Sequence, residues 1–351
     1  HLVAAAEAVP GEADVRDLQA RAAEAFDAAS AWALGLGSWG DAIAHVERAL
    51  ELVEDPASRV RLLCRITAAA QASGDWDRGV AAGREAIELG RVVGDEVAEA
   101  LAAGLTGFLL TRQRRFGEAE QLVSRYWERF RDRRDADEAL YWLARTLCLS
   151  KGEMGDWDAE VALVLLRAAE HTGDRTKTVA GLSYLAVAFY DQGLRDSART
   201  MMTGAAAFAR EHRLKEAEST AESNLGYLVA DDDLHTAIEA SLASTVICRE
   251  LHLTDGIGVA VGNLSEALYL TGDWDEREAV LDAEAADLPV GVISAESVAL
   301  YGARIALARG EPQEELPLVD EDADPLGHAD VTLMNAQIRF ARGDAGDLSD
   351  E

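Results

Sequence analysis

Apolar side chains recur along this chain at intervals of three and four, the spacing of one helix face, and the pattern is interrupted at nearly even distances. Val179, Leu182, Leu185, Ala186 and Phe189 form one such stripe, and Ala198, Met201, Met202, Ala205 and Phe208 form the next, with Gly193-Leu194 between them. Similar interruptions, a glycine or polar residue beside an aromatic or leucine, have their marker residues at 39, 76, 116, 157, 194, 234, 274 and 312, separated by 37, 40, 41, 37, 40, 40 and 38 positions. Glycine there can take the left-handed conformation that ends a helix, and a following Asp can accept the free N–H groups that open the next. Glu54-Asp-Pro56 and Thr172-Gly-Asp174 mark the joints between successive units, with Pro56 suited to a first helical turn. The pattern predicts an all-α fold, a right-handed α-solenoid of about eight antiparallel helix pairs with a period near 40, over residues 12–351. Residues 1–11 read as the end of a preceding helix or a linker. One pair cannot bury its apolar stripe alone, so neighbours stack and create a concave face. Because Trp39, Trp76, Trp157 and Trp274 recur at one repeat position, they read as wedges between helices and not as an aromatic binding box.

Composition narrows the partners. A net charge of -31 argues against this segment wrapping nucleic acid or lying on an anionic membrane. No apolar run reaches the ~18 residues a membrane span needs, and the opening stretch lacks the basic start of a signal peptide, so the reading is cytoplasmic. Cys64, Cys148 and Cys248 lie far apart in helical segments and suit core positions in a reducing compartment. Only three of the 33 basic residues are Lys, a bias expected of a GC-rich bacterial genome. The helix-like start before Pro10 and the turn-like end after Gly343 give the expectation of a fragment of a longer protein.

The corners, together with Asn224-Leu-Gly-Tyr227 and Asn263-Leu-Ser-Glu-Ala-Leu268, resemble the tetratricopeptide pattern, in which Leu-Gly precedes an aromatic and Ala follows the turn. The period near 40, against 34 in that family, is similar to the longer repeats in the C-terminal arms of large bacterial ATP-binding regulators of the LuxR type and of actinobacterial cyclase–ATPase proteins. That resemblance implies a sensing or protein-interaction arm joined, in the full-length protein, to an ATPase module.

Motifs that would carry chemistry do not hold together. Gly35-Leu-Gly37-Ser-Trp-Gly40 matches a dinucleotide fingerprint literally, but a helix precedes it where a strand is required. Gly256, Gly258 and Gly262 fail for the same reason, and no phosphate-binding Gly-Lys-Ser/Thr loop occurs. Asp320, Asp322 and Asp324 open like a calcium loop, yet Pro325 stands where the turn glycine belongs and Val331 where the bidentate Glu belongs. The seven His residues are scattered, so neither a metal, a cofactor nor a catalytic set is expected.

Counting from the Leu-Gly positions nominates side chains for the concave face: Trp142, Arg145 and Thr146, then Ser183 and Tyr184. Ser223, Asn224 and Tyr227 follow, then Asn263 and Glu266. Such amide, hydroxyl and aromatic groups suit a protein segment, a peptide or a small polar ligand. Arg112 to Arg134 carries eight Arg against four acidic residues, a local excess of +4, and Arg125, Arg129, Arg131, Arg133 and Arg134 are candidates for a basic docking patch. Their alternative role is pairing with carboxylates of adjacent helices. A spacer or oligomerisation arm, and less plainly an all-helical enzyme, stay open as other readings.

Overall fold

The computed structural model describes residues 15–272, 274–275, 293–318 and 325–343. Among them are fifteen helices and no strand. They fall into two compact units, residues 1–156 and 157–351. The first holds α1 (Val15–Gly35), α2 (Trp39–Leu52), α3 (Pro56–Ser73), α4 (Trp76–Val93), α5 (Glu96–Arg112), α6 (Phe116–Phe130) and α7 (Asp137–Gly152). The second holds α8 (Ala159–Thr172), α9 (Arg175–Asp191), α10 (Arg195–Glu211), α11 (Lys215–Val229), α12 (Leu234–Glu250), α13 (Thr254–Thr271), α14 (Ile293–Arg309) and α15 (Pro325–Arg342). Within each unit every helix packs on the next, and odd-numbered helices also touch two places apart, as α3 with α5, α5 with α7, α9 with α11 and α11 with α13. This nearest-neighbour packing makes the chain a helical repeat array.

The corner residues begin the second helix of each pair: α2 starts at Trp39, α4 at Trp76, α6 at Phe116 and α12 at Leu234, while Leu194 directly precedes α10. Trp157 lies two positions before α8, and Trp274 is helical. Phe116 is buried, and Trp76 packs with Ala70, Val80, Leu109 and Leu110 while Arg112 lies 5.6 Å from its ring centre. Trp274 stacks on Tyr269 at 6.3 Å, and its indole N–H donates to the Tyr269 carbonyl at 3.1 Å. At the α3 end, Gly74 takes φ 76°, the left-handed backbone that a Cβ disfavours.

Two local expectations need correction. The Asp of the Gly-Asp-Trp corner at Asp75 does not cap the next helix; its backbone sits at ψ 60° and its carboxylate lies 3.6 Å from Arg78. Side-chain capping occurs at the joints, where Asp55 accepts from the Ser58 N–H, Asp95 from Ala98 and Asp174 from Thr176, and at the Trp157 corner, where Asp158 accepts from the Glu160 N–H. Asp233 is a corner residue that does cap, accepting from the Thr236 N–H and hydroxyl and pairing with Arg199, and these contacts lower its carboxyl to about 2. Second, no helix follows the corner at Pro312: residues 311–318 run without helical structure. Pro312 and Pro317 remove two backbone donors and push the residues before them away from helical backbone. The first fourteen residues and Asp320 to Asp324, where a linker and an acidic loop are expected, lie outside the described residues.

Close approach of neighbouring helices depends on small residues. A Cβ at Gly104 on α5 would stand 2.7 Å from Trp142 Cβ and 2.9 Å from the Leu143 backbone nitrogen of α7, too near for either to remain in place. On α11, a Cβ at Gly226 would meet Ser241 Oγ and stand 3.1 Å from the Ala237 carbonyl oxygen, which gives the Leu-Gly element a packing reason. Gly204, midway along α10, has nothing within 4 Å of that position. Gly104→Ala is therefore expected to lower stability by about 1–3 kcal/mol in spite of the better helix propensity of Ala. Gly204→Ala should raise it by about 0.5–1 kcal/mol. Paired thermal and urea unfolding curves check both signs, and stabilisation by Gly104→Ala would refute the close-approach account.

Candidate functional site

Side chains that project from the odd-numbered helices form the candidate site, and the two units differ in what they leave open. In the first unit the α7 trio belongs to packing. Thr146 is fully buried and its hydroxyl donates to the Gly104 carbonyl of α5 at 3.0 Å. Trp142 is buried edge-on against Phe108, ring centres 5.3 Å apart, and its indole N–H donates to Glu138 at 3.0 Å. Arg145 is half-buried with its guanidinium 4.3 Å from the Phe108 ring centre, a cation–π contact that stitches α7 to α5. Trp142 and Thr146 thus face a neighbouring helix and not solvent, because Gly104 lets that helix come close.

The arginine-rich stretch is also largely engaged. Arg129 and Arg133 reach Glu96 of α5 at 3.8 and 3.7 Å, and Arg133 pairs with Asp135 at 2.6 Å. Arg131 lies 3.4 Å from Glu128, and the Arg133 guanidinium also covers the Phe130 ring at 4.7 Å. Arg125 and Arg134 are exposed and make no ion pair among the described residues. Intramolecular pairing therefore accounts for three of the five nominated arginines.

In the second unit Ser183 and Ser223 are buried. Ser183 donates to the Val179 carbonyl one turn back at 2.9 Å. Asn263 of α13 donates its amide to the Ser223 carbonyl at 2.9 Å and to its hydroxyl at 3.2 Å, tying α13 to α11 across 40 positions. Both serines, with Asn263, act as struts between helices. Asn224, Tyr184 and Glu266 remain half-buried, and Tyr227 is 47% exposed. Tyr227 stands 5.7 Å from Tyr190, whose hydroxyl donates to Asp231 at 3.0 Å and whose ring lies 5.2 Å from the Arg195 guanidinium. Burial, followed by the bond to Asp231, raises the Tyr190 phenol to about 12. Glu266 faces Tyr301 of α14, whose phenol is raised by burial and then by that carboxylate. Tyr184, Asn224, Tyr227 and Glu266, with Tyr190 in addition, thus keep part of their surface accessible on these helices. Tyr190 escaped notice because it closes its helix a full turn away from the Leu-Gly count.

Reasoning from sequence also missed a buried acidic pair. Glu218 and Glu222, one turn apart on α11, have side chains only 7% and 8% exposed. Arg210 of α10 donates to Glu218 at 3.0 Å and also to Glu222, while Lys215 lies 3.9 Å from Glu218. Burial raises the Glu222 carboxyl, and Arg210 opposes that shift. The only sequence signal is two Glu spaced by four among Ala and Ser, which reads equally well as a solvated stripe.

Other chemistry finds no support among the described residues. No three His, Cys, Asp or Glu side chains converge as a metal would need, and no helix is long and apolar enough to cross a membrane. The three cysteines are buried and form no disulfide, and burial raises the Cys64 thiol to about 12. Gly35 ends α1 and Gly37 takes φ 72°, a helix terminus followed by a turn, while Gly256, Gly258 and Gly262 lie inside α13.

Arg210→Ala leaves two buried carboxylates without their main cation, and a loss of about 1–3 kcal/mol is expected at pH 7. Because the folded carboxyl of Glu222 is raised above 4.5, its charge weakens the fold increasingly as pH rises through and beyond that value. The stability gap between variant and wild type should therefore close as pH falls toward about 4.5, and thermal unfolding from pH 7 to pH 4 measures it. A gap independent of pH would mean that Arg210 acts through packing alone.

Comparison with known proteins adds the fold and little more. No family model matches the chain, and no curated protein matches it. The apo form of RapI has a solved structure similar to this chain, with a TM-score of 0.57 and 10% identity, covering 82% of this chain and 99% of that one. A Rap protein complexed with Competence and Sporulation Factor aligns with a TM-score of 0.40 and 12% identity over 97% and 82% of the two chains. At such identities the first likeness supports a helical repeat fold, consistent with the packing described above.

Proposed function

We propose that this chain is a non-catalytic recognition array that binds a protein segment or peptide along α9, α11 and α13. One observation carries the reading: aromatic and amide side chains, Tyr184, Tyr190, Asn224 and Tyr227, keep solvent-accessible surface on α9 and α11. Aromatic and amide side chains on rigid helices give large contact area and main-chain hydrogen bonding at low entropic cost. The acidic surroundings, Asp231 and Glu266 among them, favour a segment with cationic or polar character. Against an enzyme stands the lack of a convergent nucleophile, base and orienting group among the described residues. The repeat period near 40 supports a place as the sensing arm of a larger bacterial signalling or transcription regulator, acting in the cytoplasm beside an ATPase module. Arg125 and Arg134 are the proposed secondary contacts for an acidic surface of such a module.

Peptides selected by display against the full chain, then titrated by fluorescence anisotropy, test the reading. Combined Asn224→Ala and Tyr227→Ala should weaken the selected peptides at least tenfold while helicity is retained. Arg145→Ala, a packing residue of the other unit, should leave affinity unchanged. Selection that yields no peptide, or affinity indifferent to Asn224 and Tyr227, would remove this assignment.

A further inference from the structure

The C-terminal part of the second unit holds a further feature, on residues outside the proposed recognition face. After α14, residues 311–318 run without helical structure against α15. The contacts holding this strap address its main chain. Asn335 of α15, only 4% exposed, accepts from the Leu316 N–H through its side-chain oxygen at 2.7 Å and donates from its amide to the Leu316 carbonyl at 2.8 Å. A residue in extended backbone presents its own N–H and C=O on one side, so a single carboxamide can bridge both. Arg342 likewise donates to the Gln313 carbonyl.

Side-chain selection is added to this main-chain readout. Leu316 packs on the cluster formed by Leu300, Ala303, Met334 and Ile338, and Arg339 lies 3.9 Å from Glu315. Pro317 keeps Leu316 out of helical backbone, so the strap is pre-shaped for this contact at low entropic cost. A cleft of about 430 Å³ lies where the strap meets α15, lined by Glu315, Leu316 and Leu318 of the strap together with His328, Thr332 and Asn335. The Thr332 hydroxyl is buried there without a hydrogen-bond partner. The Asn335 carboxamide thus serves both main-chain groups of Leu316 at a single point of the strap.

We propose that the groove between α14 and α15 is a binding site for an extended peptide carrying an acidic residue followed by leucine, and that residues 313–316 occupy it in cis as a displaceable pseudo-ligand. Asn335 reads the backbone, Arg339 the acidic residue and the Leu300–Met334–Ile338 pocket the leucine. The cis strap competes at the high effective concentration of a short tether, so an external peptide binds weakly until the strap is released. This site stands apart from the α9–α11–α13 face, and failure at either leaves the other in force.

The test uses the full chain and a fluorescein-labelled peptide with the sequence of residues 311–318, alongside a scrambled control. Leu316→Asp, which removes the anchor of the strap and leaves the groove intact, should bind the peptide at least tenfold more tightly than wild type. Adding Asn335→Ala should return binding to the level of the scrambled control. In wild type, millimolar peptide should accelerate hydrogen exchange at the Leu316 amide, a readout that does not depend on any variant folding. Equal affinity in wild type and Leu316→Asp, tight binding that survives Asn335→Ala, or Leu316 exchange unmoved by peptide would each overturn the proposal. A wild-type dimer abolished by Asn335→Ala would overturn it too, in favour of strap exchange between two copies.

Discussion

Everything in this molecule follows from one constraint: a single antiparallel helix pair cannot cover its own apolar stripe, so each pair must lend a face to the next. The stacking is tight only because small residues let neighbouring helices approach one another, as Gly104 of α5 does for Trp142 of α7, and as Gly226 of α11 does for Ser241 of α12. Where the helices come that close, polar side chains between them must find partners inside the protein. Thr146 turns to the Gly104 carbonyl, Asn263 to Ser223, and Ser244 to the Ser219 carbonyl at 2.8 Å. The same packing that builds the array therefore decides which polar groups are left over for a ligand.

The corners were readable in the sequence because they are local. Gly74 ends α3 and Trp76 begins α4 through chemistry contained within three residues, so spacing alone locates them. The site was far less legible. Ser223 and Tyr227 sit one turn apart on the same helix, yet one is buried and the other is 47% exposed. The difference comes from the rotation of α11 against α13 and from Asn263 reaching across 40 positions, which no local pattern encodes. Thr146 and Trp142, which counting along the helix assigns to the concave face, are buried for the same reason. The corner at Pro312 resembled the others as a string of residues, but two prolines kept the following segment from becoming a helix.

Charge was also deceptive at the level of composition. The arginine-rich stretch stands out against a chain of -31, but Glu96, Glu128 and Asp135 absorb three of its members. Conversely, Glu218 and Glu222 disappear among 64 acidic residues, yet both side chains are withdrawn from water and burial raises the Glu222 carboxyl. In a strongly acidic protein the informative groups are those withdrawn from water, since exposed charges are screened within about 8–10 Å.

Hydrogen exchange across the whole chain, with and without a saturating selected peptide, tests the central claim most directly. The account requires added protection concentrated on α9, α11 and α13, including the turns of helix that carry Asn224 and Tyr227. Protection confined to the even-numbered helices α10 and α12 would contradict it.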